Sequence, residues 1–543
     1  MFANNLDEKL RTSAAITLIL LYIPTLALSG ENLTCCEAIL DQAKQLSSTG
    51  CLSAAENLLR SAISKSPEPG TVDAIELWNE LGHVHQLQSK LSLAESDYQR
   101  AIRLNEELQA PRFVDLAISL NNLGSIAEAR RQFVVAEGLF RHALSALSRG
   151  AALSNPVTGS VLTNLAMSVQ KQSRFSEAAP LYNRGIPQLR NSYGEKSVEY
   201  TKALSNFGLL KFETGKYLEA LDLQRTTYEI QSSLRLVSND DKALALNNLA
   251  LTLCQLGSLS EAESYVRQAI ALERSTSPQD PNLVESLNNL AVLEEKAGDF
   301  QQARNDQMEA LRLALREFPA GDPIIAASWN NLGKIVAAQR RFREAEEFYR
   351  KAEAAWLDHG RASAGYAATL SNMAALKAKR GQHKQAGETY KQALKIDETI
   401  LGSNHPRVAS DLSNLAVEMT VQKKHKEAIP LLRRAIQIEE VAFGSENVEV
   451  ARALRNLAAV YWAAKQLPEA DQAYRRAIHI CRISSENNPD LISWLYEYAE
   501  VLRKQEKFSE AEQADVDASR IRVHNAITAD KQNDRSSSGS AFR

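Results

Sequence analysis

The chain has 543 residues, of which 44% are hydrophobic and 24% are charged, so it is long and apolar enough to bury a large core. Its net charge of −3 excludes the strongly basic character by which many nucleic-acid-binding proteins attract phosphate. Only 23 glycines and 15 prolines are present, and so few turn-forming residues predict helices joined by short connections.

The N-terminal residues 1–29 differ in character from the rest of the chain. Lys9 and Arg11 precede an apolar run at 12–28, and small residues lie before a cleavage point after Ser29. This pattern predicts a secretory signal peptide. An uncleaved membrane anchor is the alternative, because the run is near the lower limit of about 17–25 residues for a membrane-spanning helix. Both interpretations predict an exported protein, periplasmic or extracellular, whereas an N-terminal helix buried in the fold would not.

Residues 35–525 contain twelve tandem repeats, whose equivalent positions lie 39 to 42 residues apart. We number these repeats 1 to 12 and align them on Gly50, Ser89, Arg131, Ser173, Gly215, Gly257, Gly298, Arg340, Gly381, Lys423, Lys465 and Glu506. An alanine follows five residues after every aligned position, at Ala55, Ala94, Ala136, Ala178, Ala220, Ala262, Ala303, Ala345, Ala386, Ala428, Ala470 and Ala511. Such regularity predicts one array of stacked repeats instead of several unrelated domains.

Each repeat is predicted to form two helices, called helix A and helix B. In repeat 6, Leu246, Leu249 and Leu253 follow the spacing of one apolar helix face, and the aligned Gly257 ends helix A. Ser260 then opens helix B. Several helices A begin at a proline that follows a capping-type residue, namely at Pro156, Pro281, Pro323, Pro406 and Pro489.

The repeats resemble the tetratricopeptide repeat family, in the form of about forty-two residues found in kinesin light chains. The resemblance is carried by GKYLEAL at 215–221, NNLGKIVAAQRRFREAEEFYRKA at 330–352 and LGSNHPRVASDLSNLA at 401–416. It implies an all-α fold, a right-handed superhelical solenoid of about twelve helix-turn-helix units. It also implies a protein-interaction role, although the fold alone does not define the partner.

An asparagine recurs on helix A in nine successive repeats. At about 100° per residue, Asn248 falls near 200° from the packing stripe centred on Leu246 and therefore points away from helix B. We call these residues the asparagine column: Asn122, Asn164, Asn206, Asn248, Asn289, Asn331, Asn372, Asn414 and Asn456.

Two interpretations of the column remain open at the level of sequence. Asparagine inside a helix costs about 0.7 kcal/mol relative to alanine, so nine of them forfeit about 6 kcal/mol. In the first interpretation the amides bond a neighbouring helix and hold the superhelix together. In the second they line a groove and clamp an extended peptide, because an amide offers both a donor and an acceptor to main chain of any sequence. The family resemblance implies the second interpretation.

Other candidate sites are few. Arg452 and Arg455 share one side of helix A in repeat 11, where they either anchor an acidic ligand or form an ordinary surface pair. No catalytic motif, metal-ligand spacing or nucleotide-binding loop is present, so no enzyme activity, metal or cofactor is predicted. Residues 526–543 are polar and rich in serine, which predicts a disordered tail.

The predicted function is a non-enzymatic scaffold that binds proteins or extended peptides along a concave groove. The alternative is an envelope-assembly or export subunit that retains residues 12–28 as an anchor and uses the array as a docking platform. Nucleic acid is not a predicted partner, and a membrane would be contacted only through an uncleaved N-terminal segment.

Overall fold

The computed structural model describes residues 32–65, 72–234, 237–277, 282–359, 363–484, 488 and 490–539. Within these ranges every regular element is an α-helix, and the helices follow one another as A and B pairs. They are α1 Asn32–Ser48 and α2 Leu52–Lys65, α3 Val72–Leu87 and α4 Leu91–Glu106, α5 Phe113–Ala129 and α6 Phe133–Arg149, α7 Pro156–Lys171 and α8 Phe175–Tyr193, α9 Val198–Glu213 and α10 Tyr217–Ser233, α11 Asn239–Gln255 and α12 Leu259–Thr276, α13 Leu283–Ala297 and α14 Phe300–Glu317, α15 Pro323–Ala338 and α16 Phe342–His359, α17 Ala364–Lys379 and α18 His383–Leu401, α19 Pro406–Val421 and α20 His425–Phe443, α21 Val448–Ala463 and α22 Leu467–Ser484, and α23 Asp490–Lys504 and α24 Phe508–Gly539. The predicted all-α array of twelve hairpins is confirmed.

The chain divides into two compact blocks. The first block comprises residues up to 172 together with 180–194, and the second comprises 173–179 together with 195–543. In each block, helix A packs against helix B of its own repeat, and helix B packs against helix A of the next. Within each block the core therefore lies between packed helices, as expected of stacked repeats.

The turn between helices A and B has one conformation throughout the chain. All twelve aligned positions are left-handed, with φ between 59° and 86°. Glycine adopts this region freely, whereas any other residue is strained there by contacts of its Cβ. This explains why five of the twelve positions are glycine. Seven repeats place other residue types there, namely Ser89, Arg131, Ser173, Arg340, Lys423, Lys465 and Glu506.

Small residues allow the two helices of a repeat to approach closely. All twelve alanines at the start of helix B are buried. On the facing helix A, Gly333 lies so near helix B that an added Cβ would fall 2.5 Å from a ring carbon of Tyr349. A larger residue at either position would force the helices apart.

The predicted helix starts are confirmed where the structure describes them. Asn155, Asp322 and His405 each accept a hydrogen bond from the backbone N–H two residues later, at 3.0, 2.9 and 3.1 Å. Burial lowers the pKa of His405 to about 4, with a further contribution from Arg407, so its neutral ring can accept this bond. Pro281 and Pro489 lie outside the described residues.

Residues 1–29, which carry the predicted signal, lie outside the described residues. None of the described helices combines the length and apolar character needed to cross a membrane. At the other end α24 continues to Gly539, so residues 526–539 are helical where a disordered tail was predicted. No glycine or proline interrupts the chain between Phe508 and Ser538, which leaves the helix without a breaking residue.

Candidate functional site

Helices A form the inner layer of each block. Helices A of neighbouring repeats contact one another along much of the chain, for example α11 with α13 and α15 with α17. No comparable contact joins a helix B to the helix B of the next repeat among the described elements. Because the layer on the inside of a curved stack is the more crowded, we call the face of helices A that points away from helices B the inner face.

On helical geometry, the asparagine column is expected on this inner face. Eight of its members are half-buried and Asn414 is exposed. Their partners nevertheless divide seven of the nine members into two sets, a distinction that the spacing did not reveal.

The first set bridges neighbouring repeats. Asn289 donates to Oδ1 of Asn247 in the preceding repeat at 3.2 Å. Equivalent bonds join the amides in two further places, from Asn164 to Asn121 at 3.0 Å and from Asn372 to Asn330 at 2.9 Å. For Asn164, Asn289 and Asn372, these bonds between helices are of the kind that the first interpretation of the column describes.

The acceptor in each bridge is the first asparagine of an Asn-Asn doublet. Asn247 also donates to Ser286 Oγ at 2.7 Å, and Ser286 donates to the carboxylate of Glu273 at 2.8 Å. All three of these residues are buried. The bridge thus continues into the core as a chain of polar groups, which orients the acceptor amide. These first asparagines are functional residues that the sequence analysis did not single out, although the doublet itself was a visible signal.

The second set has no such bridge. The side chains of four column members make no hydrogen bond to any described residue: Asn122, Asn248, Asn331 and Asn414. The repeat before Asn331 carries the doublet Asn288-Asn289. Asn288 accepts a hydrogen bond from Gln307 and not from Asn331. Asn248 and Asn414 follow repeats that carry serine in place of the first asparagine, at Ser205 and Ser371.

The two remaining members have other partners. Asn206 in repeat 5 has a partner within the chain. Asn456 in repeat 11 accepts from Nη1 of Arg455 at 3.3 Å. Neither belongs to the set with unused amides.

In the second block the unused amides alternate with the bridged ones. Asn248, Asn331 and Asn414 belong to repeats 6, 8 and 10, whereas Asn289 and Asn372 belong to repeats 7 and 9. Packed helices lie about 8–10 Å apart, so alternate helices A lie about 16–20 Å apart. That distance corresponds to about five or six residues of extended chain at about 3.3 Å per residue.

Exposed apolar side chains accompany the unused amides. Leu244 lies one helical turn before Asn248 and is 51% exposed. Val417 and Val421 continue the face of Asn414 and are 42% and 52% exposed. Amides beside apolar side chains suit a peptide, whose main chain bonds the amides while its side chains cover the apolar surface.

The two candidate arginines are engaged within the chain. Arg455 forms a bidentate ion pair with Glu497, in which Nε lies 2.9 Å from Oε2. Arg452 pairs with Glu449 at 2.7 Å and lies 3.5 Å from Asp490. The acidic partners compensate both positive charges, so neither guanidinium is available as an isolated anchor for an acidic ligand. Glu497 lies 42 residues after Arg455, one repeat period along the chain, and this spacing was a signal for the pair.

Comparison with known families identifies the repeats. The family described as Tetratricopeptide repeat matches residues 73–149, 157–233, 241–316, 298–358, 365–440, 416–483 and 449–522. Comparison with the curated proteins found no match.

The chain is similar to many solved structures, and the following three are among them. BtubC (BKLC) from P. vanneervenii shares 17% identity over 44% of this chain and 92% of its own length, with a TM-score of 0.36. The nearly identical TPR-like repeats of a protein described as a kinesin light chain from Podosopora anserina share 22% identity over 38% of this chain and 98% of their own, with a TM-score of 0.33. A Rap protein complexed with Competence and Sporulation Factor shares 16% identity over 68% of this chain and 98% of its own, with a TM-score of 0.43.

Proposed function

Since the chain belongs to the tetratricopeptide repeat family, we propose that it is a non-enzymatic scaffold that captures an extended segment of a partner protein along its inner face. The observation that carries this proposal is the set of unused amides at Asn248, Asn331 and Asn414. Each amide presents a donor and an acceptor to solvent, and exposed apolar side chains lie beside the first and the last of them.

The division of the column gives this site its rigidity. The bridged amides of Asn289 and Asn372 hold neighbouring helices A together. Asn248 and Asn331 are therefore presented from helices that these bridges tie to a neighbouring helix A, because Asn247 and Asn330 on the same helices accept the bonds. A site that is ordered before binding loses less conformational freedom when a peptide arrives.

The electrostatics of the inner face favour a peptide over a polyanion. Arg452 and Arg455 are both compensated by carboxylates of their own or the next repeat. Nucleic-acid binding depends on uncompensated positive charge along a surface. Nucleic acid is accordingly not part of the proposal.

The experiment is a selection of displayed random peptides on the immobilised full chain, followed by affinity measurements with variants. Replacement of Asn248, Asn331 and Asn414 together by alanine should reduce the affinity for the selected peptides. Replacement of Asn289 and Asn372 is the matched comparison, since these residues share the column but bond within the chain. Equal loss of binding in both variants would overturn the assignment of the unused amides as the site.

We also propose that the protein is exported, on the basis of the apolar run at 12–28. N-terminal sequencing of the mature chain tests this proposal. A start at Gly30 is expected for a cleaved signal, whereas retention of the run in a membrane fraction would indicate an anchored docking platform.

A further inference from the structure

A contact between residues far apart in sequence joins repeats 5 and 11 in the second block. Nδ2 of Asn447 donates to the backbone oxygen of Thr214 at 2.6 Å, across 233 residues. Thr214 immediately follows α9, and Asn447 immediately precedes α21. The end of one helix A thus meets the start of another six repeats later.

Asn447 serves both helices at once. Its Oδ1 accepts from the backbone N–H of Glu449 at 2.9 Å and so caps α21. Its Nδ2 binds the carbonyl end of α9. The positive N-terminal end of one helix dipole therefore faces the negative C-terminal end of the other, which is an attractive arrangement.

A second contact lies beside the first, one repeat earlier on each side. The rings of Phe175 and Phe443 stack with centroids 5.6 Å apart and planes 6° from parallel. Ser176 Oγ lies 3.4 Å from the backbone oxygen of Val441. Residues 173–179 belong to the same compact block as residues 441–447. Two consecutive A–B turns therefore touch two consecutive repeats, which is the pattern of one turn of a solenoid meeting the next.

These contacts are small in number and do not share the apolar core of the repeats. Even a Cβ added at Gly215 would meet Asn447 and Val448 only at ordinary van der Waals distance, so the two helix ends do not interlock. One net hydrogen bond of about 0.5–1.5 kcal/mol corresponds to a factor of about 2 to 12 in an equilibrium. Contacts of this size can close and reopen while each hairpin stays folded.

We propose that the Asn447–Thr214 and Phe175–Phe443 contacts form a latch that bars sideways entry of folded partners to the inner face of repeats 5 to 10. An extended chain can pass along the face from an open end, whereas a folded domain or a closed loop needs the latch to open. This inference rests on the proposed function, because it names the partner class of that same site as an extended segment with a free end.

The chain offers variants that loosen the latch and preserve the helix cap. Serine caps helices A at the position of Asn447 in repeats 5 and 9, at Ser197 and Ser363, and aspartate does so at Asp322. In Asn447→Ser the new side chain is too short to reach Thr214. In Asn447→Asp a negative charge faces the backbone carbonyl of Thr214. The same changes at Asn155, which caps α7 and has no partner across the solenoid among the described residues, are the matched controls.

The test measures access to the inner face in the absence of any partner. Asn414 is replaced by cysteine in the full chain, and its reaction is followed at that position by mass spectrometry. One probe is N-ethylmaleimide, and the other is a maleimide attached to a small folded carrier protein. The ratio of the carrier rate to the N-ethylmaleimide rate reports sideways access, and thermal melting confirms that each variant is folded.

The ratio should rise about 2- to 12-fold in Asn447→Ser, the factor expected for one lost hydrogen bond, and at least as much in Asn447→Asp. Asn155→Ser and Asn155→Asp should leave it unchanged. An equal ratio in the folded Asn447 variants and the unmodified background would overturn the latch. Since the assay contains no peptide, that result would leave the peptide selection unaffected, and the two proposals fail separately.

Discussion

Asn289 donates its side-chain N–H to Oδ1 of Asn247 at 3.2 Å, and this bond joins the helices A of repeats 7 and 6. Asn248, the immediate neighbour of Asn247, makes no hydrogen bond to any described residue. Two adjacent amides of one helix thus have different roles: the first accepts a bond that holds the stack together, and the second is presented on the inner face.

The first prediction separates these roles by mutation. Replacing Asn248, Asn331 and Asn414 with alanine should weaken binding of a selected peptide by about 1.5–4.5 kcal/mol, the sum of three net hydrogen bonds. The melting temperature should hold or rise, because alanine is the better helix former by about 0.7 kcal/mol per site. Titration of peptide by calorimetry, with melting followed by circular dichroism, measures both quantities.

The comparison variant replaces Asn289 and Asn372 with alanine. Each change leaves an acceptor oxygen without its donor, at a cost of about 1–3 kcal/mol that exceeds the gain in helix propensity. The melting temperature should therefore fall, and peptide affinity should be retained at temperatures where the variant is folded. Stabilisation of this variant would show that the bridges contribute nothing to the stack.

The second prediction concerns the left-handed turn positions. Arg340 has φ of 60°, is exposed and forms no ion pair among the described residues. Arg340→Gly should stabilise the protein by about 0.5–1 kcal/mol, because relief of a steric cost of about 1–2 kcal/mol exceeds the extra entropy of glycine in the unfolded chain. Ala338→Gly, at the last residue of α15, should instead destabilise the protein, because this position is not left-handed and glycine is the poorer helix former. Urea denaturation of the two variants measures the difference, and a loss of stability in both would contradict the argument.

The third prediction is a loss of stability as the pH rises. Asp411 and Asp397 are buried together, and burial and the charge of Asp397 raise the pKa of Asp411 to about 7. Ser371 donates to Asp411 at 3.1 Å, and Arg407 lies 3.1 Å from Asp397. The folded state therefore holds a proton that the unfolded state releases near its ordinary pKa of 3.8. This stabilisation is fully present below that ordinary pKa and is lost as the pH rises through about 7.

Asp411→Asn tests this linkage, because its amide can donate to Asp397 as the protonated carboxyl does. The slope of unfolding free energy against pH between 5 and 7 should become shallower by up to about 1.4 kcal/mol per pH unit, the value for one proton. Glu439, whose pKa burial raises to about 8, should keep a residual slope in the variant. An unchanged slope would show that Asp411 ionises normally in the folded protein.

The fourth prediction assigns Arg455 to stability. Arg455 and Glu497 are about one third exposed, so solvent screening reduces the value of their bidentate pair. A double-mutant cycle with Arg455→Ala and Glu497→Ala should give a coupling energy of about 0.5–1 kcal/mol. Affinity for a selected peptide should be unchanged in Arg455→Ala. A coupling energy near zero together with weakened peptide binding would instead assign Arg455 to the peptide-binding site.

The hairpins could be predicted from the sequence because the contacts that define them are local. The buried Ala262 and the left-handed Gly257 lie five residues apart in one A–B turn, and their repetition twelve times predicted every hairpin in the described chain. The placement of Asn248 on the face away from helix B rests on the constant angle by which a helix rotates per residue, and it stays a prediction. The right-handed sense of the superhelix and the export of the chain stay predictions.

The sequence pattern made the asparagine column look uniform, but in the structure its members have different hydrogen-bond partners. Whether Asn331 has a partner depends on Gln307 of helix B. Gln307 donates to Oδ1 of Asn288, the atom to which Asn331 would otherwise donate. That competition involves three side chains on three helices, and no periodicity in the chain expresses it. The pairing of Arg455 with Glu497 is an intermediate case, since one repeat period separates the two residues but their side-chain conformations decide whether they meet.

The sequence by itself thus determined the repeat and the hairpin, because these follow from bonds and packing within about forty residues. Only the tertiary structure decided that Asn447 reaches Thr214 and that Phe175 stacks on Phe443. Each repeat is rotated slightly relative to its neighbour, and the rotations accumulate over six repeats before the two ends of the turn meet. A small change in that rotation, invisible in any single repeat, would separate the latch residues and leave every hairpin intact.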